Sequence, residues 1–361
     1  MKIVHVVEAF ASGIAVFINS LVENMKEDQH LIIHGEREHV MKADEVKRQF
    51  KGVHVSFLRW PSACRNIRPL KDIRASLELY RFLKDLRDNR EVDVVHLHSS
   101  KGGFLGRVVC RLLRIRKVIY TPNGAPFLVG KSAFSNRLYK VLEQLGARFG
   151  GKVVCCSLSE WQAYRDLGID ATQINNGIKL TGEPSKAPLD DTGFTVVTSG
   201  RIAAQKNPTL FNAIARYFEE WSTITFVWVG DGDERARLTA RNIHVTGWLP
   251  KEQASALIRD ADVYLSTARF EGLSFAGLEA LQLEKPVLLT DCIGNRDMHA
   301  RGSNGDLFKN EGEAVVKLLR YFNNRLMLPV MGRHSAALCA SEFNIQDTYH
   351  QYRSLYKSDI I

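Results

Sequence analysis

Short apolar runs alternate with longer stretches in which apolar residues return every three or four positions, from one end of the chain to the other. The first pattern marks strands buried on both faces, the second amphipathic helices. Met1–Val7 reads as a strand and Val16–Met25 as a helix. His30–His34 and His54–Phe57 read as strands, and Ile73–Arg87 as a long helix. Val92–His98 and Lys117–Thr121 are expected strands with a basic helix between them, followed by a helix over Asn136–Phe149 and a strand over Lys152–Ser157. A stretch rich in Gly and Pro, residues 176–188, interrupts the alternation. It then resumes with strands over Phe194–Thr198, Thr225–Val229, Ile243–Thr246, Val263–Ser266 and Val287–Thr290.

Such βα repetition predicts parallel sheets. A chain of 361 residues exceeds what one core comfortably holds. The expected fold class is therefore α/β, with two Rossmann-like, doubly wound domains facing a cleft. Residues 1–176 form the N-terminal domain, 177–193 the linker and 194–343 the C-terminal domain. Residues 344–361 form a C-terminal helix packing back on the N-terminal domain. In such sheets, ligands bind at the C-terminal ends of the strands, so the loops there carry the candidate chemistry.

One such loop holds two carboxylates eight positions apart, Glu271 and Glu279, around the small segment Gly272-Leu273-Ser274-Phe275. Strand, loop and helix start follow one another here, which aims backbone N–H groups outward and suits an anion. On a helix, Glu279 falls beside Phe275, Ala276 and Leu283, an apolar stripe where a charge needs a partner. The loop after Phe194–Thr198 supplies Gly200, Arg201 and Lys206. Arg can grip a phosphate with two N–H groups and Lys adds a point charge, a pair suited to a diphosphate leaving group. The loops at Gly230 and Trp248 offer backbone against which a nucleotide base could lie. In the first half, Gly13 follows the first strand, His98, Ser99, Ser100 and Lys101 follow the strand at Val92, and Asn123 follows Lys117–Thr121.

Charge sharpens the division. Residues 1–180 hold 29 Lys and Arg against 18 Asp and Glu, a balance of +11, whereas the remainder holds 20 against 22, or −2. The tract Arg107, Arg111, Arg114, Arg116 and Lys117 alternates cations with Val, Leu and Ile at near-helical spacing. That pattern suits a helix resting on an anionic membrane surface. No helix-turn-helix or aromatic platform points to nucleic acid. No apolar run reaches the roughly 18 residues of a spanning helix. The N-terminus reads as a first strand rather than a signal peptide, which makes the cytoplasm the expected compartment. Six scattered cysteines, at 64, 110, 155, 156, 292 and 339, show no CxxC and no zinc spacing, so reduced, packed thiols are expected.

Together these loops resemble the retaining, nucleotide-sugar-dependent glycosyltransferases of family 4, which have the GT-B fold. The resemblance runs along nearly the whole chain. It rests on the Glu271–Glu279 pair, on Gly200-Arg201 with Lys206, on Asn176-Gly177-Ile178, and on Lys285-Pro286-Val287. The segments Asp291-Cys292-Ile293-Gly294-Asn295-Arg296-Asp297 and His96-Leu97-His98-Ser99-Ser100-Lys101 are similar to the subgroup that builds bacterial surface polysaccharides. The resemblance implies roles for these residues. Glu279 would hold the donor ribose and Glu271 the hydroxyls of the donor sugar. Gly272 to Phe275 would cradle sugar and diphosphate, with Gly13 letting the backbone approach the same phosphates. Arg201 and Lys206 would stabilise the departing nucleoside diphosphate. It also implies a UDP-sugar co-substrate, no metal or other cofactor, and a polyprenyl-diphosphate-linked saccharide as acceptor. The protein would sit peripherally on the inner face of the plasma membrane.

Two departures from the family pattern bear on mechanism. Ser12 precedes Gly13 where many members have a glycine pair, and Asn123 stands where many have a His near the donor sugar. Asn is no general base, so same-face attack with the departing phosphate accepting the acceptor proton is the expected route. The sequence leaves three rival chemistries open. A metal-dependent transferase would use Asp231-Gly232-Asp233 or Asp260-Ala261-Asp262, although Asp262 reads as a cap or turn residue. A nicotinamide enzyme would need G-x-G-x-x-G after the first strand, where the chain has Ala11-Ser12-Gly13-Ile14-Ala15-Val16. A catalytically silent nucleotide-binding or membrane-adaptor protein is the non-enzyme alternative.

Overall fold

The structure is a computed structural model and describes all residues except 37–42, 51–53, 65, 129–132, 181–192 and 359–361. It divides into two compact units, residues 1–176 with 345–361, and residues 177–344. Of the expected linker, residues 181–192 lie outside the described residues.

The first unit runs β1 (Lys2–Val7), α1 (Ser12–Asn24), β2 (Gln29–His34), α2 (Ala43–Lys47), β3 (Val55–Arg59), α3 (Pro69–Asp88) and β4 (Val94–His98). It continues with α4 (Ser100–Leu112), β5 (Val118–Thr121), α5 (Ala133–Arg148), β6 (Lys152–Cys155), α6 (Leu158–Asp166) and β7 (Ala171–Gln173). The second unit runs β8 (Phe194–Ser199), α7 (Pro208–Tyr217), β9 (Ile224–Val229), β10 (Ile243–Val245), α8 (Lys251–Asp260) and β11 (Val263–Ser266). It closes with α9 (Phe275–Gln282), β12 (Val287–Thr290), β13 (Gly305–Phe308), α10 (Glu311–Asn323) and α11 (Leu328–Glu342). The last helix, α12 (Ile345–Lys357), belongs to the first unit, where Thr348 donates to the Asn175 carbonyl at 2.8 Å and Arg353 pairs with Glu27.

Each unit holds one parallel sheet, in the orders β3-β2-β1-β4-β5-β6-β7 and β10-β9-β8-β11-β12-β13. Each order reverses once, between β1 and β4 in the first sheet and between β8 and β11 in the second. Those reversals part the loops at the strand ends and mark where a ligand fits each sheet. Local signals place the helices. Pro at the first turn opens α3 and α7. A capping pair opens α6, where Ser157 accepts from the Glu160 amide while Glu160 accepts from the Cys156 amide at 2.8 Å. The other Glu160 oxygen accepts from the Gly124 amide at 2.8 Å, so this cap also holds the Asn123 loop. Among the described residues, no helix is long and apolar enough to cross a membrane.

One face of the first sheet is an apolar core of Val4, Val6, Val95 and Leu97 against Leu79, Leu83 and Val109. The opposite face is a buried polar layer of His5, His30, His96 and His98, closed by Phe17, Tyr352 and Tyr356. His30 Nε2 lies 3.1 Å from the Met25 carbonyl oxygen and must donate to it. In a neutral ring its Nδ1 then accepts from His5 Nε2, and His5 Nδ1 accepts from His98 Nε2, both at 3.1 Å. Burial, followed by repulsion among the rings, holds His5, His96 and His98 well below the ordinary value of 6.5. A lowered imidazole pKa means that the unfolded chain binds protons the native chain does not. This contribution to stability is full above 6.5 and is lost as pH falls below it. Ring-nitrogen NMR should show these three imidazoles still neutral at about pH 6. Protonation there would contradict the buried layer.

Candidate active site

The second unit's reversal brings together the loop after β8 and the loop after β11. Gly230 adopts φ +139°, and a side chain there would meet the Gly200 carbonyl oxygen at 2.3 Å, so the loops after β8 and β9 pack backbone to backbone. Trp228 Nε1 donates to the same Gly200 oxygen at 2.9 Å. The segment 203–207 is stitched to the loop after β11. The Arg269 amide donates to the Gln205 carbonyl at 2.8 Å, and Thr267 Oγ1 donates to the Lys206 carbonyl at 2.7 Å.

This stitching turns Lys206 onto Glu271. The ammonium lies 2.8 Å from Glu271 Oε1 and 3.3 Å from Ser274 Oγ. Gln205 Nε2 donates to Glu271 Oε2 at 3.2 Å and to the Phe270 carbonyl at 3.2 Å. The Lys206 contact lies off the hydrogen-bond direction, so Glu271 Oε1 has an ionic partner but no aligned donor. It retains acceptor capacity for a hydroxyl. Burial alone would lower the Lys206 pKa. The Glu271 charge, together with smaller contributions from Tyr264, the Glu271 hydrogen bond and Cys292, outweighs it, and the group is held above its ordinary value as an ammonium.

Glu271 is itself fixed from behind. Its amide donates to the Ile293 carbonyl at 3.0 Å. Gly294, at φ +83°, packs so close that a side chain there would come within 2.7 Å of Glu271 Cβ. Asn295 is fully buried and ties this loop to the strand ends, donating to Thr290 Oγ1 at 2.8 Å and Ser266 Oγ at 3.2 Å.

Ser274 caps α9 by accepting from the Gly277 amide. The amides of Gly272, Ser274 and Phe275 find no acceptor among the described residues, so this helix start offers free donors beside the Lys206 ammonium. Leu273 is buried in the same turn. On α9, Glu279 is half-buried, and its carboxylate has no hydrogen bond or ion pair among the described residues. Burial raises its pKa, and the charge of Lys251 opposes the rise only in part. Arg201 is mostly buried, its guanidinium 4.0 Å from the exposed carboxylate of Asp233. Gly230 bridges to Gly247, and the adjacent Trp248 leaves its indole 55% exposed at the strand ends.

One carboxylate of each acidic triplet is engaged within its own unit. Asp231 accepts from the Gly232 amide and pairs with Arg235 at 3.1 Å. Asp262 accepts from the Thr195 amide at 2.7 Å and so caps β8. The tightest grouping of potential metal ligands among the described residues is His5, His96 and His98. Both ring nitrogens of His96 are already engaged, by Tyr356 and Thr121.

In the first unit, the reversal between β1 and β4 shows a residue the sequence reading passed over, Glu8. Its buried carboxylate accepts from Ser99 Oγ and from the Gly102 amide at 3.0 Å. Burial raises its pKa, against the Ser99 hydrogen bond. Ser99 sits at φ 57°, ψ 168°, a backbone region otherwise kept for glycine. A lone charge at the end of an apolar strand was the available signal for Glu8. His98 is fully buried in the histidine layer, and Lys101 turns away to pair with Asp72 and donate to the Asn66 carbonyl at 2.6 Å. Of the four expected acceptor residues, Ser100 stands half-buried at the start of α4. Asn123 adopts φ 55° and donates to the Thr121 carbonyl at 3.2 Å. Gly13 is exposed, and a side chain there would meet no heavy atom within 4 Å.

The expected membrane helix is corrected. α4 ends at Leu112, so Arg114, Arg116 and Lys117 follow it in the turn toward β5. Arg107 is buried, paired with Glu143 at 3.1 Å and lying 4.3 Å over the Tyr120 ring, where lipid cannot reach it. Arg111, Arg114 and Arg116 are exposed.

Comparison with known proteins accounts for both units. Residues 12–177 match the glycosyl transferase 4-like domain, and residues 193–324 match the glycosyl transferases group 1. The UDP-Gal:alpha-D-GlcNAc-diphosphoundecaprenol alpha-1,3-galactosyltransferase of Escherichia coli is 27% identical over 323 residues, covering 82% of either chain. Among solved structures, sucrose-phosphate synthase of Thermosynechococcus elongatus superposes with a TM-score of 0.80 at 14% identity, covering 99% of this chain and 98% of that one. HepE of Anabaena, in complex with UDP and glucose, gives 0.77 at 15% identity, covering 99% and 100%. The fold is GT-B.

Proposed function

Because this chain belongs to the glycosyltransferases that join a glycosyl transferase 4-like domain to a group 1 domain, we propose that it is a retaining hexosyltransferase of bacterial surface-polysaccharide synthesis. Its donor is a nucleotide sugar, a UDP-hexose or UDP-N-acetylhexosamine, and its acceptor a polyprenyl-diphosphate-linked saccharide. The E. coli relative, named for a UDP-sugar and a diphosphoundecaprenol acceptor, supports this choice, as does the HepE complex with UDP and glucose. The protein works at the inner face of the plasma membrane.

One observation carries the reading: Lys206, Glu271 and the free amides at the start of α9 converge at one sheet reversal. The amides of Gly272, Ser274 and Phe275 receive the diphosphate, and Lys206 with Arg201 neutralises the charge that grows on it as the sugar leaves. Glu271 Oε1 accepts from hydroxyls of the donor sugar. The bond from the anomeric carbon to the phosphate oxygen breaks, and the acceptor oxygen bonds to that carbon on the same face. The acceptor proton passes to the departing phosphate.

Glu279 supplies the test of the nucleotide site. Its carboxylate lacks a partner among the described residues, and two ribose hydroxyls would give it one. Glu279→Ala should weaken UDP binding about 10- to 150-fold, the worth of hydrogen bonds to a charged group, with kcat nearly unchanged. Calorimetric titration with UDP checks it; equal affinity for the variant and the parent protein would remove ribose from this position.

A further inference from the structure

The helices α3, α4 and α5 cover the apolar face of the first sheet, and their other side is also apolar. On α5, Phe134, Leu138, Val141 and Leu145 follow at helical spacing and are 80%, 43%, 44% and 40% exposed. On α3, Leu70, Ile73 and Leu77 line the side opposite the buried Ala75, Leu79 and Leu83, and are 85%, 60% and 56% exposed. Single exposed leucines are ordinary, but two stripes in helical register are not.

The charges around the α5 stripe identify what covers it. Arg137, Lys140 and Arg148 are exposed along the helix. Its one carboxylate, Glu143, is buried against Arg107. The outward face of α5 therefore carries three cations and no anion, and Arg111, Arg114 and Arg116 extend the positive charge from the end of α4. Apolar side chains flanked by cations match an anionic bilayer surface. A two-fold contact with a second copy would set the same cations against each other.

We propose that the α5 stripe is the surface by which this protein docks on anionic lipid. Phe134, Leu138, Val141 and Leu145 enter the interface while Arg137, Lys140 and Arg148 meet headgroup phosphates. This rests on the lipid-linked acceptor proposed above, and it moves the membrane contact from the Arg107–Lys117 tract to α5.

The test is sedimentation of the full chain with vesicles of phosphatidylcholine alone or with about one-third phosphatidylglycerol. The parent protein should bind only the anionic vesicles. Phe134→Ser with Leu138→Ser, and separately Arg137→Glu with Lys140→Glu, should each reduce that binding at least tenfold or so. UDP affinity should be unchanged in both variants, which keeps failure here distinct from failure of the transferase reading. Variants that bind vesicles as the parent does would overturn the proposal. So would a parent protein that binds neither vesicle, or one that dimerises through this face and loses the dimer in the Ser variant.

Discussion

Lys206→Ala lowers kcat by about 10²- to 10³-fold, the cost of removing one preorganised donor aimed at developing charge. Two features of the site make the effect this large. Lys206 is held as an ammonium by Glu271 at 2.8 Å, and the loop that carries it is stitched to the β11 loop, so no reorganisation precedes its action. Among the described residues, the variant leaves Glu271 with Gln205 as its one side-chain donor. Lys206→Arg, which keeps the charge, should recover part of the activity, which a purely structural role for the ammonium would not require. Steady-state kinetics with a UDP-sugar checks this. A kcat within about threefold of the parent's would contradict the placement of Lys206 beside the leaving group.

Glu143→Ala destabilises the first unit by about 3–5 kcal/mol, because it strands a buried guanidinium. Arg107 has Glu143 as its one anionic partner among the described residues, at 3.1 Å. Its Nε donates to the Gly103 carbonyl, and its Nη1 already lacks a partner. Tyr120 donates to the other Glu143 oxygen at 2.9 Å, so the substitution also orphans a buried hydroxyl. The packing leaves no room for adjustment, since a side chain at Gly146 would come within 2.3 Å of the guanidinium. Replacing both charges, as Arg107→Met with Glu143→Leu, should restore most of the loss. Urea unfolding measures both variants. A loss under about 1 kcal/mol for Glu143→Ala would mean that Arg107 reaches water.

Alternating strand and helix periods were enough to read the two sheets, because strands buried on both faces are continuous apolar runs. They also pointed to the loops that carry Glu271, Lys206 and the α9 start, since each follows a strand end. The Lys206–Glu271 pair itself was not legible. Its members lie 65 positions apart and meet only because β8 and β11 are neighbours at the reversal. Asn295 and Gln205 escaped for the same reason. The basic tract misled because helical spacing says which residues share a face, not which way that face points. Arg107 turns inward to a partner 36 positions away, and the helix stops at Leu112. α5 shows the converse. Its sequence carries apolar residues at helical spacing, the signature of a core face, yet Phe134, Leu138, Val141 and Leu145 point outward, with Glu143 and Gly146 on the buried side.

The most direct test of the whole account is transfer itself. The parent protein is incubated with each of a set of nucleotide hexoses and a polyprenyl-diphosphate-linked saccharide, with nucleotide release followed and the product anomer read by NMR. The expected result is UDP release coupled to a new glycosidic bond of the same anomeric configuration as the donor, abolished or nearly so in Lys206→Ala. An inverted product, or transfer that survives undiminished without Lys206, would contradict it.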